Sequence, residues 1–253
     1  RTWTPIGDKR GNEFSGTIDG NGYKISGLSN TGYVGGVNFT SYAGTEGITF
    51  GFIAYAKGKV TISNLNLDVN ISGEKTNLVG AAGLIGQYNN WYYDTDGNSV
   101  VNPNYPKEQD DTSFPIAYDC EVTIANCVVD GSISGNDKVA GLIGSSYISI
   151  PVSQTNVVKF NFINCTNNAY VSYVSPANDL RFRSGGFIGT NASSVHATEF
   201  VNCTNNGTID ATGSDFDSNS VGQILGKNSG TIDDPYAMIG LDSCNENGAV
   251  IPD

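Results

Sequence analysis

Apolar residues recur along this chain in short pieces, about three to a period, and nowhere at a sustained helical spacing. Six segments share one frame when aligned on Leu28, Leu65, Cys127, Cys165, Cys203 and Cys244. Three residues before the anchor stand Ile25, Ile62, Ile124, Phe162, Phe200 and Leu241. Six residues after it stand Val34, Ile71, Ile133, Val171, Ile209 and Val250. Just before it stand Gly27, Asn64, Asn126, Asn164, Asn202 and Ser243. Gly and Asn tolerate left-handed backbone angles, so this column reads as a turn.

A second block lies between the anchors: FGFIA (50–54), AGLIG (82–86), AGLIG (140–144), GGFIG (185–189) and GQILG (222–226). Each period thus predicts three strands: the Gly-flanked block, the stretch ending at the anchor, and the G-x-I-S stretch. Gly, Asn, Asp and Ser fill the gaps. Short apolar pieces between turn residues favour strands over helices.

Fixed inward columns predict an all-β chain, a parallel β-helix (solenoid) of about six coils with one long loop insertion. One coil cannot bury its own apolar side, and stacking buries a continuous column. At about 4.8 Å per coil the stack is roughly 29 Å long. Asn64, Asn126, Asn164 and Asn202 would then bond to one another as a ladder. A sandwich or barrel is the rival architecture, but it gives no reason for Cys, Ile/Phe and Val/Ile to hold fixed columns. The repeat runs from Phe14 to Val250, so residues 1–253 read as a single domain.

The formal charge, 13 − 25 = −12, argues against nucleic acid, whose phosphates call for Lys and Arg. No apolar run approaches a membrane span. The chain opens at Arg1 and shows no signal peptide, which reads as a processed or truncated piece of a longer secreted protein. Four of the five Cys share one inward column with Leu28 and Leu65, a slot for a small apolar group, and free Cys behaves as one. In-register parallel side chains are poorly aimed for a disulfide. There is no C-x-x-C pair and His196 is the only His, so no metal is assigned.

The opening FSGTIDGNGYKISGL, with the repeated AGLIG, GGFIG and NCTNNGTI, resembles GLUG-motif proteins. These are repeat-bearing bacterial surface and secreted proteins, often described as adhesin-like. The resemblance covers nearly the whole chain. It implies a right-handed β-helix of the pectate-lyase-like kind, a secreted or cell-surface location, and a glycan or surface protein as partner. The chain departs from the motif at Ala54 and at Gln223, which points to end coils or a neighbouring loop. Fold by itself transfers no activity.

The repeat is least regular between Gly86 and Cys120, where an insertion spans 87–119. It carries Tyr88, Trp91, Tyr92, Tyr93, Tyr105, Phe114 and Tyr118 beside Asp94, Asp96, Glu108, Asp110 and Asp111. Aromatic faces stack on sugar C–H faces, and carboxylates accept from hydroxyls. Long loops on a rigid scaffold often carry function. Trp91, Tyr92, Tyr93, Asp94 and Asp96 are therefore the candidate ligand contacts. The alternative is a loop whose aromatics fold back over one flank.

Catalysis asks for more. A glycosidase needs two carboxylates facing one bond. A pectate-lyase-like enzyme needs a Ca²⁺ cluster with a basic residue, and Arg181 with Arg183 is the close Arg pair available. His196 lies in NASSVHATEF, with no nucleophile elbow. Asp215, Asp217 and Asn219 begin like a Ca²⁺ loop, but Ser220 and Gly226 break the pattern. The NFT at Asn38 and NGT at Asn206 read as turns. The expected function is a non-enzymatic, adhesin-like binding module. The alternative is a polysaccharide lyase or glycoside hydrolase.

Overall fold

The computed structural model describes residues 3–8, 12–30, 39–40, 46–72, 78–89, 92–93, 99–100, 121–147, 158–174, 183–191, 196–213, 220–228 and 238–251. Their regular elements are strands, gathered in three large parallel sheets. Two short antiparallel pairs are added: Phe39–Thr40 with Glu46–Phe50, and Tyr92–Tyr93 with Ser99–Val100.

The chain visits the sheets in a fixed order. The third sheet takes Glu46–Phe50, Leu78–Ala82, Lys138–Ala140, Arg183–Gly185 and Val221–Gly222. The chain then bends into the first sheet and turns at the Asn column into the second. The first sheet contains Phe14–Asp19 and the unbroken strand Ile53–Ser63. The second contains Lys24–Ser29, Asn66–Ile71 and Val128–Gly135, followed by shorter pieces such as Tyr170–Tyr173 and Ile209–Asp210.

Register follows the sequence columns from the second frame onward. Ile62, Ile124, Phe162, Phe200 and Leu241 are successive partners. So are Ile71, Ile133, Val171, Ile209 and Val250. Leu65, Cys127, Cys165 and Cys203 are buried between them, all four Cys in the column are free thiols, and Cys244 is half-buried. Each thiol donates to a carbonyl of the preceding level, as Cys165 Sγ does to Ile124 O at 3.3 Å. Phe162 stacks on Phe200 at 4.7 Å, and the edge of Phe187 meets both rings. At the N-terminal end Trp3 stacks on Phe52 at 5.5 Å, and its Nε1 donates to Phe52 O.

Two sequence expectations need correction. In the first frame Leu28 does not stand at the Cys level. Ile18 faces Ile62, Ile25 faces Leu67, and Leu28 faces Val69. The cause is a longer turn. Asp19 pairs with Ser63 and Lys24 with Asn66, so residues 20–23 do the work of residues 64–65. Gly27, at φ 75°, mimics the turn column but marks a bulge between Ser26 and Leu28. Val34 lies outside the described residues.

The Gly block is likewise not a strand. It is the bend between the third and first sheets: one strand ends at Ala82 and the next starts at Ile85. Glycine is required here by close approach. A Cβ on Gly83 would meet Val129 Cγ1 at 2.4 Å, and one on Gly86 would meet Phe50 O at 2.6 Å. The third residue of the block points inward, so Leu84, Leu142 and Phe187 are fully buried.

One core column changes character along the stack. Leu67 and Val129 are succeeded by Asn167 and Asn205, both fully buried. Burying an amide is tolerable only when it is bonded. Asn167 Nδ2 donates to Asn205 Oδ1 at 2.8 Å, and Asn167 Oδ1 accepts from Ala169 N. Asn205 Nδ2 donates to Gly207 O and to Gln223 Oε1. Gln223 Nε2 closes the chain on Gly248 O at 2.8 Å. Gln223 stands where the other frames have a bend glycine, and its amide carries the relay from Asn205 on to Gly248.

Candidate functional site

The insertion arises at one seam of the first sheet. Ala56 pairs with Tyr88 and Lys59 with Glu121, so two residues, Lys57 and Gly58, span the gap that residues 89–120 fill one level on. The same seam opens between Tyr147 and Val158, between Asn191 and His196, and between Asn228 and Met238. All four breaks fall on one line across the sheet. The sequence showed one irregular gap; register shows that the gaps between the Gly block and the anchor share one address.

The roots of the seam are firmly tied. Tyr88 is fully buried, its hydroxyl donates to Gly58 O at 2.7 Å, and its ring meets Phe160 edge-on at 5.1 Å. Tyr88 thus belongs to the core, not to a ligand face. Lys57 pairs with Glu13 at 3.0 Å and Lys59 with Glu121 at 3.0 Å. Of the candidate contacts, Tyr92 and Tyr93 form the short antiparallel pair, facing Val100 and Ser99 respectively. Trp91, Asp94 and Asp96 lie outside the described residues, as do Tyr105, Glu108, Asp110, Asp111, Phe114 and Tyr118.

The other candidates are dispersed. Arg183 Nε lies 3.2 Å from Asp137 Oδ1, and Lys138 Nζ lies 3.4 Å from Asp137 Oδ2, so Arg183 is part of a structural ion cluster. Arg181, Asp215, Asp217, Asn219 and Asn38 lie outside the described residues. His196 opens the strand His196–Val201 beside Val158. Among the described residues, no three His, Cys, Asp or Glu side chains gather where a metal could sit. Among them, too, no helix is long and apolar enough to cross a membrane.

The feature that sequence reasoning only half found is a set of surface amide rows. Asn64, Asn126, Asn164 and Asn202 all adopt φ between 52° and 54°. Asn126 donates to Asn64 at 3.0 Å, Asn164 to Asn126 at 3.1 Å, and Asn202 to Asn164 at 3.3 Å. The row ends on Asp19, which accepts from Asn64 Nδ2 and Asn21 N. These bonds, the Asn64 side chain first, hold the Asp19 carboxyl below its usual range. Ser243 holds the left-handed angle in the last level but donates to Asp242 instead.

A second row was not anticipated. On the outer face of the second sheet Asn168 donates to Asp130 at 2.8 Å, Asn206 to Asn168 at 2.9 Å, and Asn247 to Asn206 at 3.1 Å. Asp130 also takes Lys24 Nζ at 2.8 Å. Lys24 chiefly, burial opposing and Asn168 assisting, holds the Asp130 carboxyl low. Beside this row Tyr170 donates its hydroxyl to Asp210. The sequence signal was the repeated T-N-N: its first Asn is buried and its second is on the surface.

Comparison with family models, with curated proteins and with solved structures found no match for this chain.

Proposed function

We propose that the three sheets form a right-handed parallel β-helix of about six coils and that the chain is a binding module. It works without catalysis, secreted or held at a bacterial cell surface, in the manner of an adhesin-like GLUG-motif protein. The observation that carries this reading is the seam: insertions of different length leave a repeated frame along one line. That is how a rigid scaffold carries variable recognition loops. The frame also absorbs its own charges. Asp19, Asp130, Asp137, Glu13 and Glu121 are each engaged by a named amide or cation.

Trp91, Tyr92 and Tyr93, with Asp94 and Asp96 at the rim, are the contacts we assign to the longest insertion. Rigid aromatics give large contact areas at low entropic cost. The partner is a glycan or another cell-surface protein. The test uses three proteins: wild type, Trp91→Ala, and a variant with residues 89–120 replaced by Lys-Gly, copied from 57–58. Saturable binding to a glycan array or to surface-protein preparations is expected for wild type. Trp91→Ala should abolish the part of that binding that is lost when 89–120 is replaced, while thermal unfolding moves little. Enzyme-dependent release of reducing ends or unsaturated products from pectins or neutral glycans, with or without Ca²⁺, would overturn the reading.

A further inference from the structure

Tyr170 is 42% exposed, one of few large rings the described surface leaves open. It stands on the outer face of the second sheet, in the strand Tyr170–Tyr173. Its hydroxyl reaches diagonally to Asp210 on the next strand, whose Oδ1 is held by Thr212 N at 3.0 Å. The ring is thus fixed at its far end before anything binds. A side chain ordered in advance loses less freedom on association.

Its neighbours are uncharged hydrogen-bonding groups in register. Asn168 and Asn206 each spend one N–H and one acceptor site along their row, and an amide has two N–H groups and two lone pairs. Each therefore keeps a donor and an acceptor for a ligand. Thr166 and Thr204 flank the row on adjacent strands. Across 166–173, 204–210 and 245–251 there is no Lys or Arg, Asp210 beside the ring is acidic, and Lys24 at the head of the row is held by Asp130. A polyanion would find a like charge here and no cation within these strands. A neutral, hydroxyl-rich chain would find none of that cost. The amides recur about every 4.8 Å along the stack, close to the advance of one ring in an extended β-linked polysaccharide.

We propose that this face binds a neutral β-linked glycan lying along the stacking direction. Tyr170 is the platform for one sugar ring, and Asn168, Asn206 and Asn247 bond to hydroxyls of successive rings. The inference rests on the binding-module reading but places a second site outside the insertion. The test is calorimetric titration of the full chain with soluble β-linked gluco-, manno- and xylo-hexasaccharides. Tyr170→Ala should weaken binding of the best of them at least tenfold, with unchanged denaturant unfolding. Tyr170→Phe, which keeps the ring and loses the pin, should weaken it only severalfold. Thr208→Arg, which crowds the ring from the next strand, should match the alanine variant. The variant lacking 89–120 should bind like wild type. If Tyr170→Ala and Thr208→Arg bind normally while the loop-less variant does not, this inference fails and the binding-module reading stands. If wild type binds none of the sugars, the inference falls outright; if it also binds nothing on arrays or surface-protein preparations, the binding-module reading falls too.

Discussion

Replacing Asn164 separates the two things its position does. The residue sits at φ 53°, and its amide joins Asn126 on one side to Asn202 on the other, at 3.1 and 3.3 Å. Asn164→Gly removes both bonds and leaves the backbone at ease. Exposed amide bonds contribute at the low end of about 0.5–1.5 kcal/mol each, so the pair is worth ~1 kcal/mol. Asn164→Ala removes the same bonds and also forces a Cβ into the left-handed region, which adds about 1–2 kcal/mol. The greater freedom of glycine in the unfolded chain returns about 0.5–1 kcal/mol of that difference. The expected order is wild type, then Gly, then Ala, with Ala roughly 2–3 kcal/mol below wild type. Equilibrium urea unfolding at one pH, with the m-value checked for constancy, reads the order directly. Equal stability of the Ala and Gly variants would refute the backbone part of this reasoning. Both within a few tenths of a kcal/mol of wild type would refute the ladder as well.

In a Cys120→Ser background, thiol titration of native protein should label Cys244, which is half-buried, and leave Cys127, Cys165 and Cys203 unreactive until unfolding; rapid native labelling of all four would break the column assignment. The neighbouring thiols of Cys127 and Cys203, reinforced by burial, push the Cys165 thiol up, against nucleophilic reaction. Cys165→Ser should cost about 1 kcal/mol, the low end of the usual range, because Ile124 O and Ile163 O stand ready to accept a hydroxyl. Asp19 and Asp130 have folded pKa values below the ordinary value of about 3.9. The stability they contribute is present in full above that value and disappears as pH falls through the lower folded values. Asp19→Asn and Asp130→Asn should flatten the acid limb of a stability-against-pH curve, and an unchanged limb would show that other carboxylates govern it.

The columns at Ile62, Leu65 and Ile71 were legible because stacked parallel strands force one residue type to repeat at one offset. The turn Asn was legible for the same reason, and its ladder follows from the left-handed angle. The first frame was misread because two extra residues at Gly20–Tyr23 shifted the pairing, while Gly27 supplied a decoy turn. The Gly block looked like a strand because its glycines answer to Val129 and Phe50, partners that no local window contains. Tyr88 looked like part of the insertion because sequence cannot show where a strand stops being core. Asn167 was hidden by its polarity, although Leu67 and Val129 stand at the same offset in the frames before it. The seam could have been found by noting that the largest length variation falls between the Gly block and the anchor.

The buried amides give the stack a direction that its outer rows oppose. On the surface each Asn hands its proton toward the N-terminus; inside, Asn167 hands its proton to Asn205, and Asn205 to Gln223. A unit with an inward Asn must therefore be followed by one that offers an oxygen. Units are not interchangeable modules: exchanging the order of those bearing Val129 and Asn167 would strand an amide N–H against a hydrocarbon. Lengthening by duplication is admissible between Asn167 and Asn205, where every copy finds a donor behind it and an acceptor ahead. The relay itself stops at Gln223, whose amide donates to the carbonyl of Gly248. The interior thus carries a rule of syntax for the order in which its units can follow one another.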